Sequence, residues 1–216
     1  MSTNTRWLAV LIAFAAMFLS WLPASAAVSG NGPGNTSPGL SQQSAVTSPM
    51  QLGSAWRDYT NYQYGFSFDY PRPFVKKRAD WSARSGGSDK SVFVFNVRGP
   101  MVKGQYREAF GVNVYRLNVV IDKDLLPAVR RELKDVIWDL ESQGMNIGNL
   151  RRVRLNGLYG FAAPASFSVG GVPFRSRLTF LFDGRLEFQL IEQTTASRWY
   201  KALPRLSQMR RSFVSF

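Results

Sequence analysis

The chain contains no cysteine and no histidine, and those two gaps decide most of the chemistry open to its other side chains. Disulfides, thiolate nucleophiles, Cys/His zinc sites, histidine-containing triads and imidazole switches are all excluded. What remains for catalysis is a pair of carboxylates, a Ser/Lys pair or a bound cofactor. The close acidic pairs are Asp122/Asp124 and Asp139/Glu141. The first opens a predicted helix, where Asp124 can cap the free amides, and the second falls on that helix's polar side. Neither belongs to an Asp-rich calcium loop. Ser88-Asp89-Lys90-Ser91 is not a serine–lysine arrangement, and Gly86-Gly87 and Gly170-Gly171 are too short to cradle phosphate. No Walker or dinucleotide motif occurs, so neither an enzyme nor a cofactor is expected.

The feature that composition does support is charge. There are 27 Lys and Arg against 14 Asp and Glu among 216 residues, a formal net charge of +13. The cations recur in short clusters: Lys76-Lys77-Arg78, Arg130-Arg131 with Lys134, Arg151-Arg152 with Arg154, Arg175 with Arg177, and Arg210-Arg211. If several converge, they attract an anionic membrane surface or the acidic face of a protein complex; if they scatter, they merely solvate the surface. The first three clusters are the candidate contacts.

Those clusters are carried by a chain with a distinct beginning. Arg6 precedes an apolar run from Trp7 to Leu22, broken at Ser20, and Pro23 and the small residues Ala24-Ser25-Ala26 follow. This reads as a cleavable signal peptide over residues 1–26. The alternative, a retained anchor, is poorly served by sixteen residues that rise about 24 Å against a hydrocarbon core of roughly 30 Å. Without cysteine, attachment as a lipoprotein is excluded, and the expected location is periplasm, thylakoid lumen or extracellular space. Export also argues against nucleic acid, the usual partner of such charge in the cytoplasm. Residues 27–55, rich in Gly, Ser, Pro, Asn and Gln, read as a flexible linker. Residues 56–216 suit one domain, long enough to bury about two thirds of its unfolded surface.

Within that domain, Phe66, Phe68 and Tyr70 alternate along a strand that meets Pro71. Residues 76–90 read as a basic loop. Ser91–Val97 forms a second strand, and Phe110–Val120 a third whose alternation drifts between Val112/Val114 and Leu117/Val119. A helix is predicted from Leu125 to Gln143, with Leu126, Val129, Leu133, Val136, Ile137 and Leu140 as its apolar stripe and Gly144 as its stop. Trp138, at the stripe's edge, suits packing or a contact surface. A meander follows. Gly170-Gly171 as a two-residue turn sets Val169 opposite Val172 and Phe167 opposite Phe174. At Asp183-Gly184 a three-residue loop, with Gly184 at positive φ, pairs Phe180 with Leu186 and Leu178 with Phe188. It leaves Arg177, Thr179, Glu187 and Gln189 on the other face. A last helix spans Ser197–Arg211 with Pro204 inside it. The fold class expected is α+β, a central antiparallel sheet flanked by helices.

The stretch Tyr62-Gln63-Tyr64-Gly65-Phe66-Ser67-Phe68-Asp69-Tyr70-Pro71, the hairpin segment Gly184-Arg185-Leu186-Glu187-Phe188 and the close from Ser197-Arg198-Trp199-Tyr200 to Arg211-Ser212-Phe213 resemble, in that order, the PsbP family of extrinsic photosystem proteins. The resemblance covers roughly residues 59–216 and extends to fold relatives such as the yeast Ran-binding type. It implies a sandwich with helices on both faces of an antiparallel sheet. It further implies an exported, non-enzymatic protein that docks on or helps assemble a membrane complex; photosynthetic members are linked to the oxygen-evolving side of photosystem II. Some members bind calcium or zinc, but ligation by histidine cannot transfer to this chain. A second function class is an exported small-ligand or lipid carrier, with a pocket between sheet and helices lined by Phe66, Phe95 and Trp138. A third is a carboxylate-dependent hydrolase, which needs two acidic side chains close together in an open cleft.

Overall fold

In a computed structural model, residues 55–79, 93–102, 105–106 and 108–216 are described. The predicted signal peptide, nearly all of the linker and most of the basic loop lie outside them. Twelve strands form, in chain order: β1 (Trp56–Asn61), β2 (Phe66–Pro71), β3 (Val75–Ala79), β4 (Phe93–Arg98), β5 (Met101–Val102), β6 (Gln105–Tyr106), β7 (Glu108–Ile121), β8 (Asn146–Ile147), β9 (Arg151–Leu155), β10 (Leu158–Val169), β11 (Val172–Thr195) and β12 (Val214–Ser215). Helix α1 (Leu126–Ser142) follows β7, and α2 (Trp199–Arg211) follows β11 after one 3-10 turn.

A seven-stranded antiparallel sheet runs β3-β4-β7-β11-β10-β8, with β9 also on β10. A smaller sheet, β1-β2-β12, lies apart from it, and β5 and β6 pair as a short ribbon. Apolar residues sort into two clusters because alternate residues of each central strand face opposite ways. Phe110, Val112, Val114, Phe188 and Leu190 face the small sheet and α2, meeting Phe66, Phe68, Leu206 and Met209. Leu117, Ile121, Phe161, Leu178 and Phe180 face α1, meeting Leu126, Leu133, Val136 and Leu140. The drift expected along β7 is this parity: Phe110, Val112 and Val114 belong to one cluster, and Leu117, Val119 and Ile121 to the other.

This architecture corrects the expected fold class. The domain is mostly β, with helices of only 17 and 13 residues beside 24 consecutive extended residues that fold back on themselves. It is not a helix-flanked sandwich, since one face of the large sheet is covered by a second sheet together with α2. The sequence hid this because β1, β3, β9 and β12 are short and carry no clean alternation. Residues 76–79, taken as the start of a loop, belong to β3 instead.

Several local expectations hold. Gly170 and Gly171 take φ of +55° and +79°, and Val169 opposes Val172 and Phe167 opposes Phe174. Gly144 ends α1 at φ +89°. Entry to α1 differs: Asp122, not Asp124, accepts the amides of Asp124 and Leu125, at 2.9 and 3.0 Å. Pro204 sits within α2 without dividing it.

The Asp183-Gly184 register is a second correction. β11 pairs with β10 up to Phe182 and with β7 from Gly184 on. Its two halves lie side by side, since the Ser176 hydroxyl donates to the Glu192 carbonyl at 2.8 Å. Gly184 has positive φ as expected. However, Leu178 and Phe180 face α1, whereas Leu186 and Phe188 face the other cluster. The predicted pairs therefore sit on opposite faces. A sheet buried on both sides offers apolar surroundings to either set, so alternation alone does not choose the register.

Helix α2 is held by charge as well as packing. Buried Glu108 receives a two-pronged contact from Arg205, with Nε at 2.8 Å, and has Arg198 at 3.8 Å. Buried Glu192 has Arg177 and Arg210 each at 3.3 Å. Burial still pushes the Glu192 carboxyl above its ordinary pKa against the pull of the two arginines.

Candidate functional site

Among the described residues, a cationic recess beside the small sheet and a cavity beneath α1 have the geometry of a binding site. The recess is built by pairing. β1 and β2 run antiparallel and set Arg57 opposite Tyr70, while the amide of Arg72 donates to the Ala55 carbonyl at 3.0 Å. The chain then turns through Pro73 into β3. Arg57, Arg72 and Lys76 thereby line one shallow, open recess of about 550 Å³ with Asp58, Tyr70 and Phe74. The Lys76 ammonium lies 5.3 Å from the centre of the Tyr70 ring and 5.4 Å from that of Tyr59. Each ring's negative face holds the cation in place without neutralising it.

Of the predicted contacts, Lys76 belongs to this recess. Lys77 and Arg78 continue β3 opposite Asn96 and Phe95, and their side chains lie outside the described residues. Arg130, Arg131 and Lys134 are exposed on α1. Arg151, Arg152 and Arg154 are exposed on β9, but alternation divides them. Arg152 and Arg154 oppose Phe161 and Tyr159 on the α1 face, whereas Arg151 opposes Ala162 on the other. Arg154 lies 5.1 Å from the Tyr159 ring, and Lys123 from the turn before α1 lies 5.5 Å from it. The fold therefore brings together Lys123 and Arg154, a pair that no spacing in the sequence links. It also pairs cations with a buried acid: Arg177 and Arg210, from two of the noted clusters, are half-buried against Glu192. Sequence reading missed Arg57 and Arg72 because they are isolated cations in the chain; only the β1–β2 pairing makes them neighbours of Lys76.

The pocket expected between Phe66, Phe95 and Trp138 does not exist. Phe66 and Phe95 are buried in the cluster facing α2, while Trp138 is 69% exposed on α1. A different cavity, of about 250 Å³, opens between α1 and the large sheet. Leu117, Ile121, Val129, Leu133, Val136 and Phe182 supply its apolar wall, and Glu132 and Glu187 also line it. Glu187 is 5% exposed and lies opposite Tyr115 across β7 and β11. Gln189 Nε2 donates to one of its carboxyl oxygens at 2.7 Å. Burial pushes this carboxyl up to about 7, only partly offset by the Gln189 bond. The neighbouring Tyr115 hydroxyl is buried without a hydrogen-bond partner among the described residues, and burial followed by the Glu187 charge pushes its pKa upward too. No group of three or more acidic side chains that could hold a metal occurs among the described residues.

No family model matches the sequence, and no curated protein is similar to it. Solved structures do match. The solution structure of cyanobacterial PsbP from Synechocystis superposes with a TM-score of 0.54 at 16% identity, covering 79% of this chain and 99% of that one. The fold is PsbP-like. A Bacteroides thetaiotaomicron protein superposes with a TM-score of 0.50 at 15% identity, covering 76% of this chain but 49% of its own. At such identities the likeness is one of fold, so the resemblance of the opening strand, hairpin and terminal helix carries no further than architecture. Among the described residues, no helix is long and apolar enough to cross a membrane.

Proposed function

We propose that this PsbP-like domain is an exported, non-enzymatic attachment module that docks on the acidic face of a membrane-associated protein complex. The observation that carries the proposal is the recess in which Arg57, Arg72 and Lys76 meet around Tyr70. Three cations sharing one concave surface raise the local potential more than the same cations dispersed, and they favour an acidic partner over a neutral one. The remaining positive surplus steers encounter without fixing the contact. Asp58 in the same recess gives the site a polarity, so that a partner with one basic residue among its carboxylates fits it best.

The test is binding of the full chain to envelope extract from its host across a salt series. Wild type should bind at low salt and weaken steeply as salt rises. Combined reversal of Arg57→Glu, Arg72→Glu and Lys76→Glu should reduce affinity at least tenfold, while Arg130→Glu with Arg131→Glu should change it much less. Equal losses from the two sets would overturn the recess as the contact. Retention on anionic vesicles that matches retention on the protein extract would transfer the partner from protein to lipid.

A further inference from the structure

The cavity beneath α1 is independent of the cationic recess and has the opposite character. In a chain of net charge +13, the ionisable groups lining it are two carboxylates, Glu132 and Glu187. The remaining wall is almost entirely aliphatic or aromatic. Glu187 sits deep in the sheet, with one oxygen bonded to Gln189 and the other without a hydrogen-bond partner among the described residues. The Tyr115 hydroxyl beside it is also buried, with no hydrogen-bond partner among the described residues. A buried carboxyl is costly unless something pairs with it, and leucine or glutamine at this position would fill the space without that cost.

Size limits what can enter. An apolar cavity of roughly 150 Å³ takes a benzene ring, so about 250 Å³ accommodates on the order of ten heavy atoms. The wall offers few hydrogen-bonding groups for a sugar or a nucleotide, and two carboxylates repel a fatty acid or a phosphate. An apolar body carrying a single cationic donor satisfies both the wall and the free oxygen. We infer that this cavity binds a small aliphatic or aromatic amine, its hydrocarbon against Leu117, Val129, Leu133 and Val136 and its ammonium paired with Glu187. Glu132, exposed on α1, stands at the rim, where it attracts the cation without being desolvated.

Calorimetric titration of the full chain with octylamine, 1-octanol and octanoate at pH 8 tests this. The three probes share a body of about the size the cavity allows and differ in the head group. Octylamine should bind at least tenfold more tightly than octanol, and octanoate more weakly than either. Glu187→Gln should bring octylamine down to the octanol level and leave octanol within twofold. Val129→Phe, which fills the cavity, should abolish both; Ala128→Leu narrows it from the same helix if the first variant fails to fold. Equal binding of octylamine and octanol, tighter binding of octanoate, or unchanged octylamine affinity in Glu187→Gln would each overturn the inference. So would no binding of any probe to the folded wild type. None of these outcomes bears on the cationic recess, whose reversal variants leave the cavity intact.

Discussion

A carboxyl sealed between a helix and a sheet must either give up its charge or obtain a cation. Among the described residues no cation pairs with Glu187, and burial raises its pKa from the ordinary 4.5 to about 7. The native state therefore holds the proton more tightly than the unfolded chain does. The stability that Glu187 contributes is complete below pH 4.5 and is lost as the pH rises through 7. The loss is on the order of 3 kcal/mol. Glu187→Gln mimics the protonated group at every pH. Denaturant unfolding of variant and wild type should thus agree near pH 4 and diverge by pH 8, with the variant more stable by about 2–3 kcal/mol. A constant difference across that range would show that Glu187 titrates alike in the native and the unfolded chain, so that burial does not raise its pKa.

At the scale of elements, α2 is held from its middle to its C-terminal end. Glu108 and Glu192 hold its arginines against the large sheet. The other clamp is the Asn156-Gly157 turn between β9 and β10. Asn156 has φ of +46°, a conformation that asparagine tolerates better than most residues, and Gly157 follows at +91°. The Asn156 side-chain amide donates to the carbonyls of Arg211 and Phe213 at 2.8 and 2.7 Å, satisfying the chain where α2 ends. Asn156→Ala loses both bonds and strains the backbone, which should cost about 2–3 kcal/mol. Asn156→Gly loses the bonds but keeps the conformation, so thermal unfolding should rank it between wild type and alanine. If glycine and alanine destabilise equally, the backbone conformation contributes nothing.

Across the whole molecule, two of the cationic clusters take on a meaning that neither spacing nor charge count discloses. The large sheet begins with β3 and ends with β8 and β9, and these outer strands carry Lys76-Lys77-Arg78 and Arg151-Arg152-Arg154. Edge strands expose unpaired amides and carbonyls, and basic residues there discourage pairing with a second molecule. Replacing Arg151, Arg152 and Arg154 together by Thr should leave the monomer folded yet promote association. Sedimentation velocity should show concentration-dependent larger species that wild type lacks at the same ionic strength. A variant that stays monomeric would free these arginines for a role in recognition.

How much of this was legible in advance depends on whether neighbours in space are neighbours in the chain. The Gly170-Gly171 hairpin, the α1 stripe and the burial of Phe66, Phe68 and Tyr70 were readable, because a turn, a helix and a strand each impose a short repeat on local sequence. The helix-flanked sandwich and the Asp183-Gly184 register were misread, since a doubly buried sheet rewards either facing of its apolar residues. The recess of Arg57, Arg72 and Lys76 and the cavity at Glu187 had no linear signature at all. By itself the sequence determined composition, hence the absence of thiol and imidazole chemistry, the positive surplus and the local periods. Only the tertiary structure decided which arginines are spent on buried glutamates, which line a common surface and which carboxyl is left without a cation. Those outcomes depend on strand pairing between residues far apart in the chain, and pairing is settled by the packing of the whole domain.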